Sequence, residues 1–190
     1  RAQVTIAHNQ VQEQVVRGWG CPVLRLSYTP FGEQASGHYP LSGDFNVAVV
    51  CSMAPDEPFK AIFAGAEQLP RVRFFVTGNP KRMPPAVRAL APDNCVLTGY
   101  LPARDYGALL ASADAVMALT TRSHSMLMGA FEGISLGKPV IVSDSPVLRD
   151  CFPRGAVLVD NTASGIAAGV RRAQCTLLEL EREAVAMRSE

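Results

Sequence analysis

The sequence of 190 residues lacks the features that mark several large protein classes. No apolar run approaches the roughly 18 residues that a membrane-spanning helix needs. Lys and Arg number 18 against 17 Asp and Glu, so the net charge of +1 creates no overall field that would favour nucleic acids or an anionic membrane. Aromatic residues make up 7% and form no platform among the basic residues, so nucleic-acid binding is not predicted.

Paired cysteines and metal-ligand patterns are also absent. The five cysteines are scattered without a C-x-x-C pair, which argues against a disulfide framework and favours a reducing compartment. The three histidines lie too far apart for a local zinc site, and no D-x-D, Walker or G-x-G-x-x-G motif occurs. We predict a cytoplasmic protein that uses no metal ion and no cofactor. Peripheral attachment to the inner face of the membrane stays open.

From residue 45 onward, short apolar runs alternate with longer segments of helical spacing. The runs are apolar throughout, as strands buried on both faces should be: residues 47–51, 72–77, 95–98, 115–119, 140–143 and 156–159. The segments between them predict helices at residues 58–69, 83–90, 103–113, 126–136 and 145–152. This alternation predicts an α/β fold, with a Rossmann-like doubly wound parallel sheet covered by helices on both faces.

The regions outside this sheet suggest a remnant of another domain. Residues 1–26 have the pattern of a strand, a helix and a strand, which we interpret as the end of an N-terminal domain. Residues 27–45 lack periodicity and predict an inter-domain linker. Residues 46–172 form the complete domain, and residues 173–190 a C-terminal helix. The apolar face of that helix predicts a homodimer through Leu177, Leu178, Leu180 and Val185.

The topology alone predicts where a ligand would bind. A doubly wound sheet of strand order 3-2-1-4-5-6 has a crevice at the carboxyl ends of its first and fourth strands, here residues 52–58 and 120–128. The second segment is polar and leads into a helix predicted to begin at Met126, whose N-terminus can bind an anion. Arg122 adds a positive charge, and Ser123 or Ser125 is a candidate cap for the helix. The alternative interpretation is an ordinary capped helix start.

Glu132 follows in the same helix, where a carboxylate could accept hydrogen bonds from the vicinal hydroxyls of a sugar. A solvent-facing side chain is the alternative. From here the sequence resembles a known family, the group 1 (family 4-like) glycosyltransferases of the GT-B fold, in their C-terminal nucleotide-sugar-binding domain. The resemblance rests on residues 113–117 (ADAVM), 129–143 (GAFEGISLGKPVIVS) and 94–102 (NCVLTGYLP).

The resemblance implies a retaining, metal-independent hexosyltransferase of which this chain supplies the donor half, not active by itself. It assigns Glu132 to the ribose hydroxyls of a nucleoside diphosphate sugar, and His124 to the position that contacts the donor sugar. His124 and Arg122 are the candidate catalytic residues. The other candidate donor-binding residues are Ser123, Ser125, Met126, Ser52, Tyr100, Leu101 and Gly78. The acceptor, whether saccharide, lipid-linked or another molecule, is not identified.

The sequence departs from the family pattern at two places. The first of the family's two glutamates is replaced by His124, which could also be a structural loop histidine. The family's Arg and Lys, which hold the donor pyrophosphate after the first strand, are missing from residues 52–58. Asp56 and Glu57 stand near those positions, and we expect them to begin the next helix. A catalytically inactive binding or scaffold domain, or a sugar-nucleotide epimerase, therefore remains an alternative.

Overall fold

The computed structural model describes residues 4–26 and 37–188. Its first part is a small parallel sheet with one helix: β1 (Thr5–Ala7), α1 (Gln10–Gly18) and β2 (Val23–Arg25). The predicted strand–helix–strand is thus present in the described part of residues 1–26. The predicted linker falls largely outside the described residues, and its described part before the next strand, residues 37–44, contains no helix or strand.

The main part of the chain is a six-stranded parallel sheet. Its strands are β3 (Phe45–Val49), β4 (Val72–Thr77), β5 (Cys95–Gly99), β6 (Ala115–Ala118), β7 (Val140–Ser143) and β8 (Ala156–Val159). They lie in the order β5-β4-β3-β6-β7-β8, and every pairing is parallel. This arrangement confirms the predicted doubly wound α/β sheet, and each predicted strand is present within two residues of its expected bounds.

Helices cover both faces of this sheet. They are α2 (Phe59–Glu67), α3 (Pro85–Arg88), α4 (Ala103–Ser112), α5 (Met128–Ser135), α6 (Pro146–Cys151), α7 (Ala163–Cys175) and α8 (Leu177–Arg188). Alternate residues of β3 point to opposite faces: Val47 packs in one core cluster with α2 and α7, and Ala48 in another with α4, α5 and α6. Burial on both faces explains why the strands are apolar throughout.

Two helices differ from prediction for local reasons. Residues 83–90 form only the four-residue α3, preceded by the 3-10 turn Pro80–Arg82. The prolines at positions 80, 84 and 85 explain this, since a proline has no N–H for a helical hydrogen bond. The predicted C-terminal helix is also wrong in its bounds. The α7 helix runs to Cys175, and α8 begins after a break at Thr176.

The apolar face of α8 packs largely on its own chain. Leu180 is buried in the cluster with α2 and α7, and Leu177 packs against the same cluster. Of the four residues predicted to form a homodimer, these two leucines therefore pack within their own chain. Leu178 and Val185 stay exposed, at 70% and 49% of their surface.

Asp114 joins the two central strands at their amino ends. Its Oδ2 accepts a hydrogen bond from the Asn46 backbone N–H at 2.7 Å and one from the Asn46 Nδ2 at 3.2 Å. The Asp114 N–H donates to the Asn46 carbonyl at 2.9 Å. Asn46, which is buried, also binds both backbone groups of Gly43 through its amide. This cluster therefore ties the start of β3 to the start of β6.

We expect Asp114→Ala to lower the free energy of unfolding by about 2–3 kcal/mol, because it leaves buried Asn46 donors without their charged acceptor. Urea denaturation followed by circular dichroism measures the change. The exposed Asp93→Ala variant is the control and should stay within about 0.5 kcal/mol of the parent. An equal loss in both variants would contradict the role given to Asp114.

No helix among residues 4–26 and 37–188 is long and apolar enough to cross a membrane. The cysteines of the described residues are all free thiols, of which Cys21 and Cys175 are exposed. Burial raises the pKa of the Cys51 thiol, that of Cys95 to about 12 and that of Cys151 to about 11. The three partly buried thiols therefore stay protonated at neutral pH.

We expect Cys21 and Cys175, which are exposed, to react faster with a thiol reagent at pH 8 than the three partly buried thiols, because burial raises the pKa of those three and the thiolate is the reactive form. The raised pKa values also carry a linkage effect. The folded state keeps protons that the unfolded thiols lose near pH 9, so stability should fall as the pH rises through 9 toward 11. Timed thiol titration and unfolding at several pH values test both statements.

Candidate functional site

The loops that follow β3 and β6 meet at the switch point of the sheet, and Asp56 joins them. Its Oδ2 accepts the Thr120 hydroxyl at 2.7 Å, and its carbonyl accepts the Thr121 N–H at 2.8 Å. Its Oδ1 lies 3.4 Å from Nη2 of Arg122, whose side chain is 68% exposed. The guanidinium of Arg122, which the sequence predicts as a cation for an anionic ligand, is therefore already paired with Asp56.

Glu57 folds back onto the loop that precedes it. Its Oε1 accepts the Ser52 N–H at 2.8 Å and the Ser52 hydroxyl at 3.2 Å, and its Oε2 accepts the Ala54 N–H at 2.8 Å. The expectation that Glu57 serves to begin the α2 helix is therefore wrong. Its carboxylate holds the backbone donors that lie at the carboxyl end of the central strand.

The helix after β6 begins two residues later than predicted. Its N-cap is Leu127 and has no side-chain hydrogen bond, so the expected cap from Ser123 or Ser125 is wrong. Ser123 is exposed, while Ser125 and Met126 are half-buried in the preceding loop. The N-terminal N–H groups of α5 are consequently not used by a capping side chain, which suits the binding of an anion.

His124 lies on the side of this loop that faces the small N-terminal sheet. Together with Ser125, Met126 and Met128, it lines a cavity of about 390 Å³ whose other wall contains His8 and Gln12. Both histidines could donate or accept a hydrogen bond there. His124, Ser125 and Met126 thus share one cavity, and Arg122 is not among the residues that line it.

Glu132 is half-buried in the second turn of α5 and is not solvent-facing. Its Oε2 accepts a short hydrogen bond from the Tyr106 hydroxyl, which comes from α4. The carboxylate is therefore placed to receive an O–H donor, and in this structure a phenol of the same chain supplies it. A ligand hydroxyl at this carboxylate would share it with Tyr106 or replace it.

The three candidates at the ends of β4 and β5 have different surroundings. Tyr100 is 85% exposed, and Leu101 is half-buried against the cluster that includes α4 and α5. Gly78 has a φ of +93°, and a Cβ built on it would lie 2.6 Å from the Cys51 carbonyl oxygen. The fold itself therefore requires glycine at position 78 for steric reasons, whether or not a ligand binds there.

The sequence predicts no G-x-S-x-G nucleophile elbow, although residues 133–137 fit the bare pattern of such a hydrolase motif. That nucleophile sits on a turn from a strand into a helix. Ser135 instead ends α5, and its hydroxyl donates to the Phe131 carbonyl at 2.8 Å. The match is therefore not a nucleophile elbow. Within the described part of the chain, no group of His, Cys, Asp or Glu side chains could hold a metal ion.

Three sets of contacts at the candidate site could not be predicted from the sequence. The acids Asp56 and Glu57 were noted, but their partners were not, and the Tyr106–Glu132 bond joins residues 26 positions apart. The only sequence signal for the acids was their place between a strand and a helix at the switch point. The partner of Glu132 had no local signal, because it depends on how α4 packs beside α5.

Comparisons with known proteins agree with this fold. A sucrose-phosphate synthase from Thermosynechococcus elongatus superposes on the whole chain with a TM-score of 0.80 at 18% identity. A glycosyltransferase from Rickettsia africae covers 97% of the chain with a TM-score of 0.81 at 13% identity. The Anabaena protein HepE, solved with UDP and glucose, covers 99% with a TM-score of 0.76 at 14% identity. The chain spans 53%, 57% and 58% of these three proteins, respectively.

The sheet and its helices are those of a GT-B Rossmann-like domain. The family model described as "Glycosyl transferases group 1" matches residues 47–174, and the chain belongs to this family. A search of curated proteins found no match. The residues matched include both loops of the switch point and all six strands of the main sheet except the first two residues of β3.

Three glycines distinguish the two ways in which an added side chain can destabilise the fold: backbone strain at a positive φ, and a steric clash with neighbouring atoms. Gly78 has a positive φ and a close carbonyl, Gly99 has a positive φ in open space, and Gly18 has neither constraint. We expect the free energy of unfolding to fall by about 3 kcal/mol in Gly78→Ala and by about 1–2 kcal/mol in Gly99→Ala, and to rise by up to about 1 kcal/mol in Gly18→Ala, at the end of α1. Thermal and urea unfolding of the three variants test this order. Equal stability of the Gly78 and Gly99 variants would contradict the steric role of Gly78.

Proposed function

We propose that this chain is the donor-binding half of a glycosyltransferase that transfers a hexose from a nucleoside diphosphate sugar, without a metal ion and with retention of configuration. The observation that carries the proposal is Glu132, a half-buried carboxylate that already accepts a hydroxyl beside the switch point. The vicinal hydroxyls of a ribose offer the same kind of donor. Supporting it, the family is that of group 1 glycosyl transferases, and HepE was solved with UDP and glucose.

In this proposal the chain binds and orients the donor, while the acceptor is held mainly by parts of the protein beyond this sequence. The uncapped N-terminus of α5 and Arg122 stabilise the leaving diphosphate, and His124 contacts the sugar. Arg122 can serve only if it exchanges Asp56 for the diphosphate. The remaining donor contacts come from Ser52, Gly78, Tyr100, Leu101 and the loop of Ser123, Ser125 and Met126.

A specific observation favours the second candidate, a binding or scaffold domain without activity. Asp56 and Glu57 together place two negative charges against the single charge of Arg122 at the switch point. This excess of negative charge opposes the binding of a diphosphate.

A cytoplasmic location and a homodimer through α8 are part of the first proposal as well. For the homodimer, α8 offers mainly the exposed Leu178 and Val185.

We expect Glu132→Ala to weaken UDP binding by about tenfold or more, because a charged acceptor of ribose hydroxyls is lost. Tyr106→Phe should bind UDP at least as tightly as the parent, because it removes the competing phenol. Isothermal titration of this chain with UDP, GDP, ADP and their sugar conjugates measures both effects. Glu179→Ala, an exposed acid on α8, is the matched control.

The outcomes separate the two candidates. One preferred nucleotide whose binding depends on Glu132 supports the donor site. Nucleotide binding that is unchanged in Glu132→Ala contradicts the ribose role. A parent chain that binds none of these ligands favours the scaffold.

A further inference from the structure

The loop between β3 and α2 forms a backbone site for an anion. Among the described residues, Met53 is the non-glycine residue with a positive φ, at 63°. This left-handed conformation, which is costly for a residue with a side chain, lies between Ser52 and Ala54 and turns their N–H groups toward one acceptor. Backbone N–H groups that converge on one acceptor are a known device for binding phosphate and other anions.

Glu57 occupies this site from within the chain. Three donors converge on its two carboxylate oxygens: the Ser52 N–H and hydroxyl at 2.8 and 3.2 Å, and the Ala54 N–H at 2.8 Å. A phosphoryl group has the same charge sign as a carboxylate and, like it, can accept hydrogen bonds through two oxygens at once. It would therefore need the same three donors and would have to displace Glu57.

A second place for the Glu57 side chain lies beside the loop. Glu57 lines a pocket of about 530 Å³ that opens between the start of α2 and the segment leading into α3. Most of the lining is apolar, but Lys60 and Arg82 also line it, and neither forms an ion pair among the described residues. The pocket thus offers room for the side chain and two cations for its charge.

We propose that Glu57 determines access of phosphoryl groups to this loop by exchanging between two positions. In the observed position its carboxylate fills the backbone anion site. In the other it turns into the pocket toward Lys60 and Arg82, and the phosphoryl group of a donor takes its place. This proposal rests on the proposed function, since it names how that donor site admits its diphosphate. The apparent affinity is then the intrinsic affinity reduced by the fraction of chains with the site open.

The first experiment removes the competitor. Isothermal titration with inorganic pyrophosphate compares the parent chain with Glu57→Gln, and we expect the variant to bind about tenfold more tightly. Glu67→Gln, an exposed acid at the end of α2, controls for the loss of one negative charge. Thermal unfolding of each variant shows that it is folded. A folded Glu57→Gln chain with no gain over the parent overturns the proposal.

The second experiment leaves the loop intact and removes the alternative position. The double variant Lys60→Gln/Arg82→Gln should bind pyrophosphate about threefold to tenfold more weakly than the parent, because Glu57 then has no cation in the pocket. Lys81→Gln, a neighbouring exposed cation that does not line the pocket, should leave the affinity unchanged. No loss in the double variant overturns the proposal even if Glu57→Gln fails to fold.

A double-mutant cycle distinguishes exchange from simple attraction of the ligand. If the two cations act through Glu57, their removal has no effect in a Glu57→Gln background. If they attract pyrophosphate directly, the loss persists in that background, and the exchange is overturned.

UDP separates this proposal from the donor site itself. If UDP binding depends on Glu132 but not on Glu57, the donor site is supported and the exchange of Glu57 is contradicted. If pyrophosphate binds more tightly to Glu57→Gln but no variant binds a nucleotide, the exchange is supported and the donor site is contradicted.

Discussion

The structure depends on the parallel pairing of β3 with β6, the two strands on either side of the switch point. Asp114 and Asn46 fix this pairing at the amino ends of the strands, through hydrogen bonds of 2.7 to 3.2 Å. At their carboxyl ends, the two strands lead into loops that face each other. Because both strands are central and buried on both faces, their loops are held in a constant relation, and Asp56 can bridge them.

The carboxylates near this edge of the sheet accept hydrogen bonds from different kinds of donor. Asp56 and Glu57 are neighbours, yet one carboxylate holds the opposite loop and the other fills the N–H groups of its own loop. Glu132, one helix away, accepts a tyrosine hydroxyl. Each acid is therefore satisfied inside the chain. A ligand at this edge gains only the difference between its own hydrogen bonds and the internal ones that it replaces.

Membership of the group 1 glycosyl transferases and the GT-B sheet support the expectation of a nucleotide-sugar site, and the resemblance predicts that Glu132 is one of the family's two glutamates. The departures from the family pattern are concentrated in the loop after β3, where the resemblance predicts the donor diphosphate. Acids and a serine stand after β3, and their contacts satisfy that loop without a ligand. Under the proposed function, a donor diphosphate would have to replace those internal contacts.

The sequence by itself determined the strands, because fully buried strands are apolar at every position, and their order is a common one for a doubly wound sheet. The crevice, Glu132 and the loop from Thr120 to Met128 stay predictions of a binding site. The ends of the helices were predicted less accurately than the strands. The prolines before α3 are a visible signal for its start, but no residue type marks the start of α5 at Met128. Only the tertiary structure decided the partners of Arg122, Glu57 and Glu132, because each contact joins segments whose approach depends on packing or on a strained loop. Hydrophobic periodicity carries information about burial, whereas hydrogen-bond partners are chosen by proximity in space.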